Sequence, residues 1–110
     1  MRYVYPAIFV KDEDSSYKVL FPDLDLQTDG KIMEEAFVFA KGFLKSYFVY
    51  VEHYDMDYNL PTDYETCKKQ NGFADEIMLI DAEVDKNDIK NPSKYFENWQ
   101  LFVDKTISLC

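Results

Sequence analysis

The chain has 110 residues, enough for one domain with a single buried core, and carries 12 basic against 21 acidic side chains for a net charge of −9. That balance excludes unaided binding to phosphate backbones and favours a basic partner or plain solubility. Nine Tyr, nine Phe and one Trp set against only three Gly exclude a disordered or collagen-like chain.

Tyr3 to Val10 is dense in strand formers on both alternating faces, Tyr3, Tyr5, Ala7 and Phe9 on one and Val4, Ile8 and Val10 on the other, which predicts a strand buried on both sides. Pro6 removes one ladder donor, so the strand needs a bulge or a locally unpaired edge there. Asp12 to Ser16 is a polar turn, and Tyr17 to Phe21 alternates as the second arm of an antiparallel hairpin closed by Pro22.

From Met33 the period changes. Met33, Ala36, Phe37, Ala40, Phe43, Leu44, Tyr47 and Val51 fall at three- and four-residue steps, predicting one long amphipathic helix from about Lys31 to Glu52. Asp29 is its expected N-cap, and Glu34 and Glu35 suit the positive end of the helix dipole. A second stripe, Phe39, Gly42, Ser46 and Tyr50, is expected to make further core contacts.

His53 to Ala74 is acidic and irregular, with Thr62 and Glu65 placed as a capping box for a turn of helix through Lys69, ended by Asn71 and Gly72. Glu76 to Val84 reads as the next strand, directing Met78, Ile80, Ala82 and Val84 to one face, and a parallel return after the helix fits it. The last twenty residues fit a helix entered through Asn91, Pro92 and Ser93, or a strand from Val103 to Leu109.

Candidate chemistry is sparse. Cys67 and Cys110 supply neither a disulfide framework nor a zinc site, which fits a reducing compartment. The first ten residues lack a signal peptide's apolar region, and no run approaches the roughly 18 apolar residues of a membrane helix, so a cytoplasmic location without membrane contact is expected. Asp23, Asp25, Gln27, Asp29 and Glu34 fit a calcium-loop spacing, but Thr28 stands where the loop needs Gly, and a solvated acidic loop is expected instead. His53, Asp55 and Asp57 alternate as a carboxylate-flanked histidine, for which a solvated loop is again the expectation. Ser15 and Ser16 lack a neighbouring base, and no Gly-rich loop cradles phosphate, so no catalytic residue, metal or cofactor is assigned.

The opening stretch "RYVYPAIFVKDEDSSYKVLFPDLDLQTDGKIMEEAFVFAKGFL" resembles the N-terminal domain of the HicB antitoxins in its "YPAIF" strand, its "FPDL" strand end and its "EEA" helix start. "DEIMLIDAEVD" resembles that family's fourth strand, so the likeness covers about residues 2 to 85. It implies an α+β fold of degraded ribonuclease H-like type, β-β-β-α-β with a mixed sheet and one long helix, in a unit spanning 1–90 followed by a tail, 91–110. Asp25 and Leu26 replace the family's usual Pro-Gly, and Ile32 stands where a Thr N-cap is usual. "VDKTISLC" resembles only the first strand of the ribbon-helix-helix domain with which relatives commonly continue.

The resemblance implies a non-catalytic antitoxin whose partner is a HicA-type ribonuclease, a basic protein that the −9 charge would attract. The contact is expected at Asp23, Asp25 and Asp29 with the adjoining helix face, and second at Asp55 and Asp57. The alternatives are a surviving ribonuclease H-like, metal-dependent hydrolase using Asp81, or an orphan protein-interaction domain. The first strand contains no carboxylate for a two-metal centre, which weighs against the hydrolase. Tyr95, Phe96, Trp99, Phe102 and Val103 are expected to pack on the domain, docking as a helix in preference to a ribbon, or to pair a homodimer. With Lys94 and Lys105 offset by Glu97 and Asp104, the tail is expected not to bind DNA.

Overall fold

The first strand, β1 (Arg2–Lys11), is the longest in the sheet because its β-branched and aromatic residues have partners on both faces. The structure, a computed structural model, describes residues 1–92 and Tyr95. After β1 come β2 (Tyr17–Phe21), β3 (Leu26–Gly30), the helix α1 (Met33–His53), the short helix α2 (Tyr64–Gln70), β4 (Glu76–Glu83) and α3 (Lys86–Lys90). The sheet order is β3-β2-β1-β4.

The alternation of β1 sorts the core. Tyr3, Tyr5, Ala7 and Phe9 join Val19, Phe21, Ile80 and Ala82 under α1, which offers Ala36, Ala40, Phe43, Leu44 and Phe48. On the opposite face Ile8 meets Ile77 and Cys67 of α2. Both sides of β1 are therefore covered around Ile8, while Val4 reaches solvent on the second face. Pro6 pairs only with Leu79 of β4, since the pairing with β2 begins at Ile8 opposite Leu20, so the missing donor falls at a locally unpaired edge as expected.

Every pairing in this sheet is antiparallel, which corrects the expected mixed sheet and parallel return of β4. The reason lies in residues 54–75. After α1 the chain is at the end of the sheet where β1 starts, and a direct return would run parallel to β1. Instead this segment passes the β2–β3 turn, crosses to the second face and climbs to the far end of β1. There Asp75 N–H donates to the Phe9 carbonyl at 3.0 Å and its carboxylate accepts from Lys11 N–H at 2.6 Å. Glu76 then enters opposite Phe9, and the strand descends until Glu83 faces Arg2.

Local starts also differ from expectation. Asp29 is a strand residue opposite Lys18, not a helix cap. The N-cap of α1 is Ile32, which makes no side-chain cap bond; Glu35 instead accepts from Lys31 N–H at 3.1 Å. Gly30 is required just before, because a Cβ there would stand 2.4 Å from the Ala36 nitrogen. The cap of α2 is Asp63, accepting from Thr66 N–H at 2.9 Å, since the Thr62 hydroxyl is taken by Asp23. The helix α3 was not expected, although Asp85 and Asp88 close a reciprocal capping box. The tail expectations for 96–110 lie outside the described residues.

Candidate partner-binding face

The turn from Pro22 to Asp25 is tight, with Leu24 N–H donating to the Phe21 carbonyl at 3.1 Å and Asp25 at φ 55°, a left-handed position Asp tolerates. Asp23 within it organises the neighbouring loop. Its carboxylate accepts from Thr62 N–H at 2.9 Å and from the Thr62 hydroxyl, and its carbonyl accepts from the Asn59 side chain at 2.9 Å. Tyr5 donates its hydroxyl to the Asn59 carbonyl at 2.6 Å. These bonds clamp the acidic loop onto the hairpin.

The clamp brings Asp57, Tyr58 and Asn59 beside Asp23, Leu24 and Tyr47, around a cavity of about 210 Å³. Its floor is aromatic. Tyr3 stacks on Phe48 with centroids 3.8 Å apart, and Tyr58 meets Phe48 edge-on at 5.2 Å. Such pairs add about 0.5–1.5 kcal/mol each beyond buried area. Burial pushes Tyr5 up to about 12 and raises Tyr47, and burial followed by the hydrogen bond to Glu52 raises Tyr3, so these phenols stay neutral at ordinary pH. The result is a rim with two carboxylates over aromatic rings, chemistry that receives a cationic side chain and offers no activated nucleophile or base.

The five expected contact residues are thus divided. Asp23 and Asp57 share this cavity, whereas Asp25 is exposed at the turn tip and Asp29 is exposed on β3, at the sheet edge. Asp55, at φ 50°, lines a different groove of about 570 Å³ with Met1, Glu52, Val84 and Ile89. Tyr47 and Tyr58 were not anticipated as site residues. Tyr47 carries the same spacing as the core residues of α1, and Tyr58 becomes relevant only once Asp23 holds its loop.

The other sequence candidates take ordinary structural places. The calcium-spaced segment is not a loop, since Gln27 and Asp29 lie in β3. His53 Nδ1 lies 3.0 Å from the Ile89 carbonyl at the end of α1. Asp81 forms ion pairs with Arg2 at 3.5 Å and Lys41 at 3.4 Å. Among the described residues no three His, Cys, Asp or Glu side chains group as metal ligands, and no helix is long and apolar enough to cross a membrane.

Neither a family model nor a curated protein matches the sequence. A solved structure described as a toxin-antitoxin complex from Streptococcus pneumoniae contains a similar chain, with a TM-score of 0.62 and 21% identity over 76% of this chain and 70% of that one. The chain shares with that protein a mixed α+β architecture of sheet and helices.

Proposed function

We propose that this chain is a HicB-like antitoxin domain that binds and neutralises a basic HicA-type ribonuclease toxin in the cytoplasm, without catalysis of its own. The observation that carries the reading is the fold likeness to a chain of a toxin-antitoxin complex. The HicB-like motifs add support: "YPAIF" forms the middle of β1, and "FPDL" forms the turn from which Asp23 clamps the loop. In this reading residues 1–90 are the neutralising unit and 91–110 a tail that does not bind DNA by itself. The toxin contact is the face of Asp23, Asp57 and Tyr58, flanked by Asp25 and Asp29, where a net charge of −9 favours a basic protein. The complex joins a homodimer of this chain to the toxin.

The test is to mix the protein with the short basic product of an adjacent gene at low salt and to follow both binding and residual ribonuclease activity. A complex that silences the ribonuclease supports the proposal. Failure to associate at micromolar concentration overturns it, as does RNA cleavage by this chain alone that Asp81→Asn abolishes.

A further inference from the structure

The outward side of α1 changes character along its length. Towards the C-terminus it is covered: Val49 and Ser46 are buried, Lys45 pairs with Asp88 at 3.6 Å, and the Lys45 ammonium lies 5.5 Å from the centre of the Tyr95 ring. One turn nearer the N-terminus the same side opens. Val38 is 62% exposed and Phe39 43% exposed, and a Cβ built on Gly42 would meet nothing within 4 Å. Val49, Ser46, Gly42 and Phe39 succeed one another at three- and four-residue steps, so the covered and open parts form one continuous strip.

The chain itself arrives at the boundary between them. Tyr95 packs against the main core and donates its hydroxyl to Asp88 at 2.6 Å, beside Lys45. Residues 96–110 follow directly, with Tyr95, Trp99 and Phe102, and Phe96, Trp99 and Val103, at helical spacing. As a helix those residues would extend about 22 Å, and the distance along α1 from Lys45 back to Met33 is about 18 Å. Length, starting point and apolar pattern therefore match the uncovered strip. Tethering at Tyr95 also gives this segment a high effective concentration over that strip, which a second copy in dilute solution lacks.

We propose that residues 96–110 continue from Tyr95 as an amphipathic helix laid antiparallel on the outer face of α1, with Trp99 seated at Gly42 and the segment covering Val38 and Phe39. One turn beyond the Tyr95–Lys45 contact places Trp99 beside Gly42, where the missing side chain leaves room for an indole. The tail then closes the domain as a helix instead of serving as a ribbon strand, and this holds whatever partner the acidic face binds.

Trp99 is the one tryptophan in the chain, so its fluorescence reports on this contact in the full-length protein. The expected result is blue-shifted, quencher-protected emission that does not change on dilution. Phe39→Asp should shift it to the red, whereas Leu60→Asp, at an exposed position outside the strip, should leave it unchanged. Should circular dichroism show that Phe39→Asp unfolds the domain, Gly42→Leu fills the seat at a position with space for a Cβ and should produce the same red shift. Solvent-exposed emission from the native protein overturns the proposal, as does emission insensitive to the strip variants. Emission that moves with dilution in step with dissociation seen by sedimentation also overturns it, since the strip would then be covered by a second copy.

Discussion

At Asp23 one side chain determines whether the candidate face exists. Its carboxylate holds both the N–H and the hydroxyl of Thr62. Asp23→Ala removes two charge-assisted bonds and should cost about 1–3 kcal/mol, with faster amide exchange at Thr62 and increased mobility of Tyr58 as the local signature. Gly30 is a second sensitive point. A methyl group there meets backbone of the first turn of α1 instead of a flexible side chain, so Gly30→Ala should lower stability by about 1–3 kcal/mol in denaturant titrations. The buried phenols set an alkaline limit. Tyr5 ordinarily titrates at 10.0 and is pushed up to about 12, so the stability it contributes is fully present below pH 10 and is lost as pH rises through about 12. Tyr3 and Tyr47 are shifted in the same direction, chiefly by burial. Tyrosinate absorbance should therefore show a late phase that coincides with loss of helical circular dichroism; smooth titration of all nine tyrosines near their ordinary value would contradict this packing.

The elements differ in how openly the sequence declares them. The long helix was legible because twenty-one residues keep one apolar period, and β1, β2 and β4 were legible because alternation persists through each. The strand β3 was hidden: Asp29 and Gly30 resemble a helix start, and only hydrogen bonding to β2 makes Leu26–Gly30 extended. Strand direction was hidden for a different reason, because alternation is identical in parallel and antiparallel strands. Direction depends on the long path of residues 54–75, which Asp23, Phe9 and Lys11 fix through contacts distant in sequence. The cap of α3 was written in the sequence as Asp85 and Asp88, but five residues are too few for a period to show. That short helix carries an acid-sensitive lock. The Tyr95 hydroxyl first, then the backbone at Asp85 and the Lys45 charge, hold the Asp88 carboxyl below its ordinary value. A depressed acid stabilises the fold above its unfolded value near 3.8 and withdraws that support as pH falls through the lower folded value. Acidification below pH 3.8 should thus release Tyr95 from Lys45 before the sheet unfolds, and Asp88→Asn should flatten that early step. An unchanged step in the variant would assign it to other carboxylates.

For the molecule as a whole, the acidic excess and the candidate face make separable contributions to partner binding. A net charge of −9 acts over distances set by the ionic atmosphere, about 10 Å at 0.1 M salt, and so governs encounter with a basic protein more than the lifetime of the docked complex. Asp57 and Tyr58 act at contact, where a carboxylate and a ring can desolvate together around one cationic side chain. Of the carboxylates on the face, Asp23 serves the fold as well, so its substitution mixes stability with binding, whereas Asp57 is exposed in the loop. Asp57→Lys should therefore weaken toxin binding by roughly tenfold or more, about 1.4 kcal/mol, with the thermal midpoint nearly unchanged. Tyr58→Ala should act mainly through faster dissociation. Charge reversal at Glu13, exposed in the β1–β2 turn, should lower the association rate and its salt sensitivity while leaving dissociation unaltered. Surface-binding kinetics across a salt series measure all three variants together. If Asp57→Lys and the Glu13 reversal lowered only the association rate, and by equal amounts, the partner would be responding to overall charge, and the cavity beside Asp23 would not be its seat.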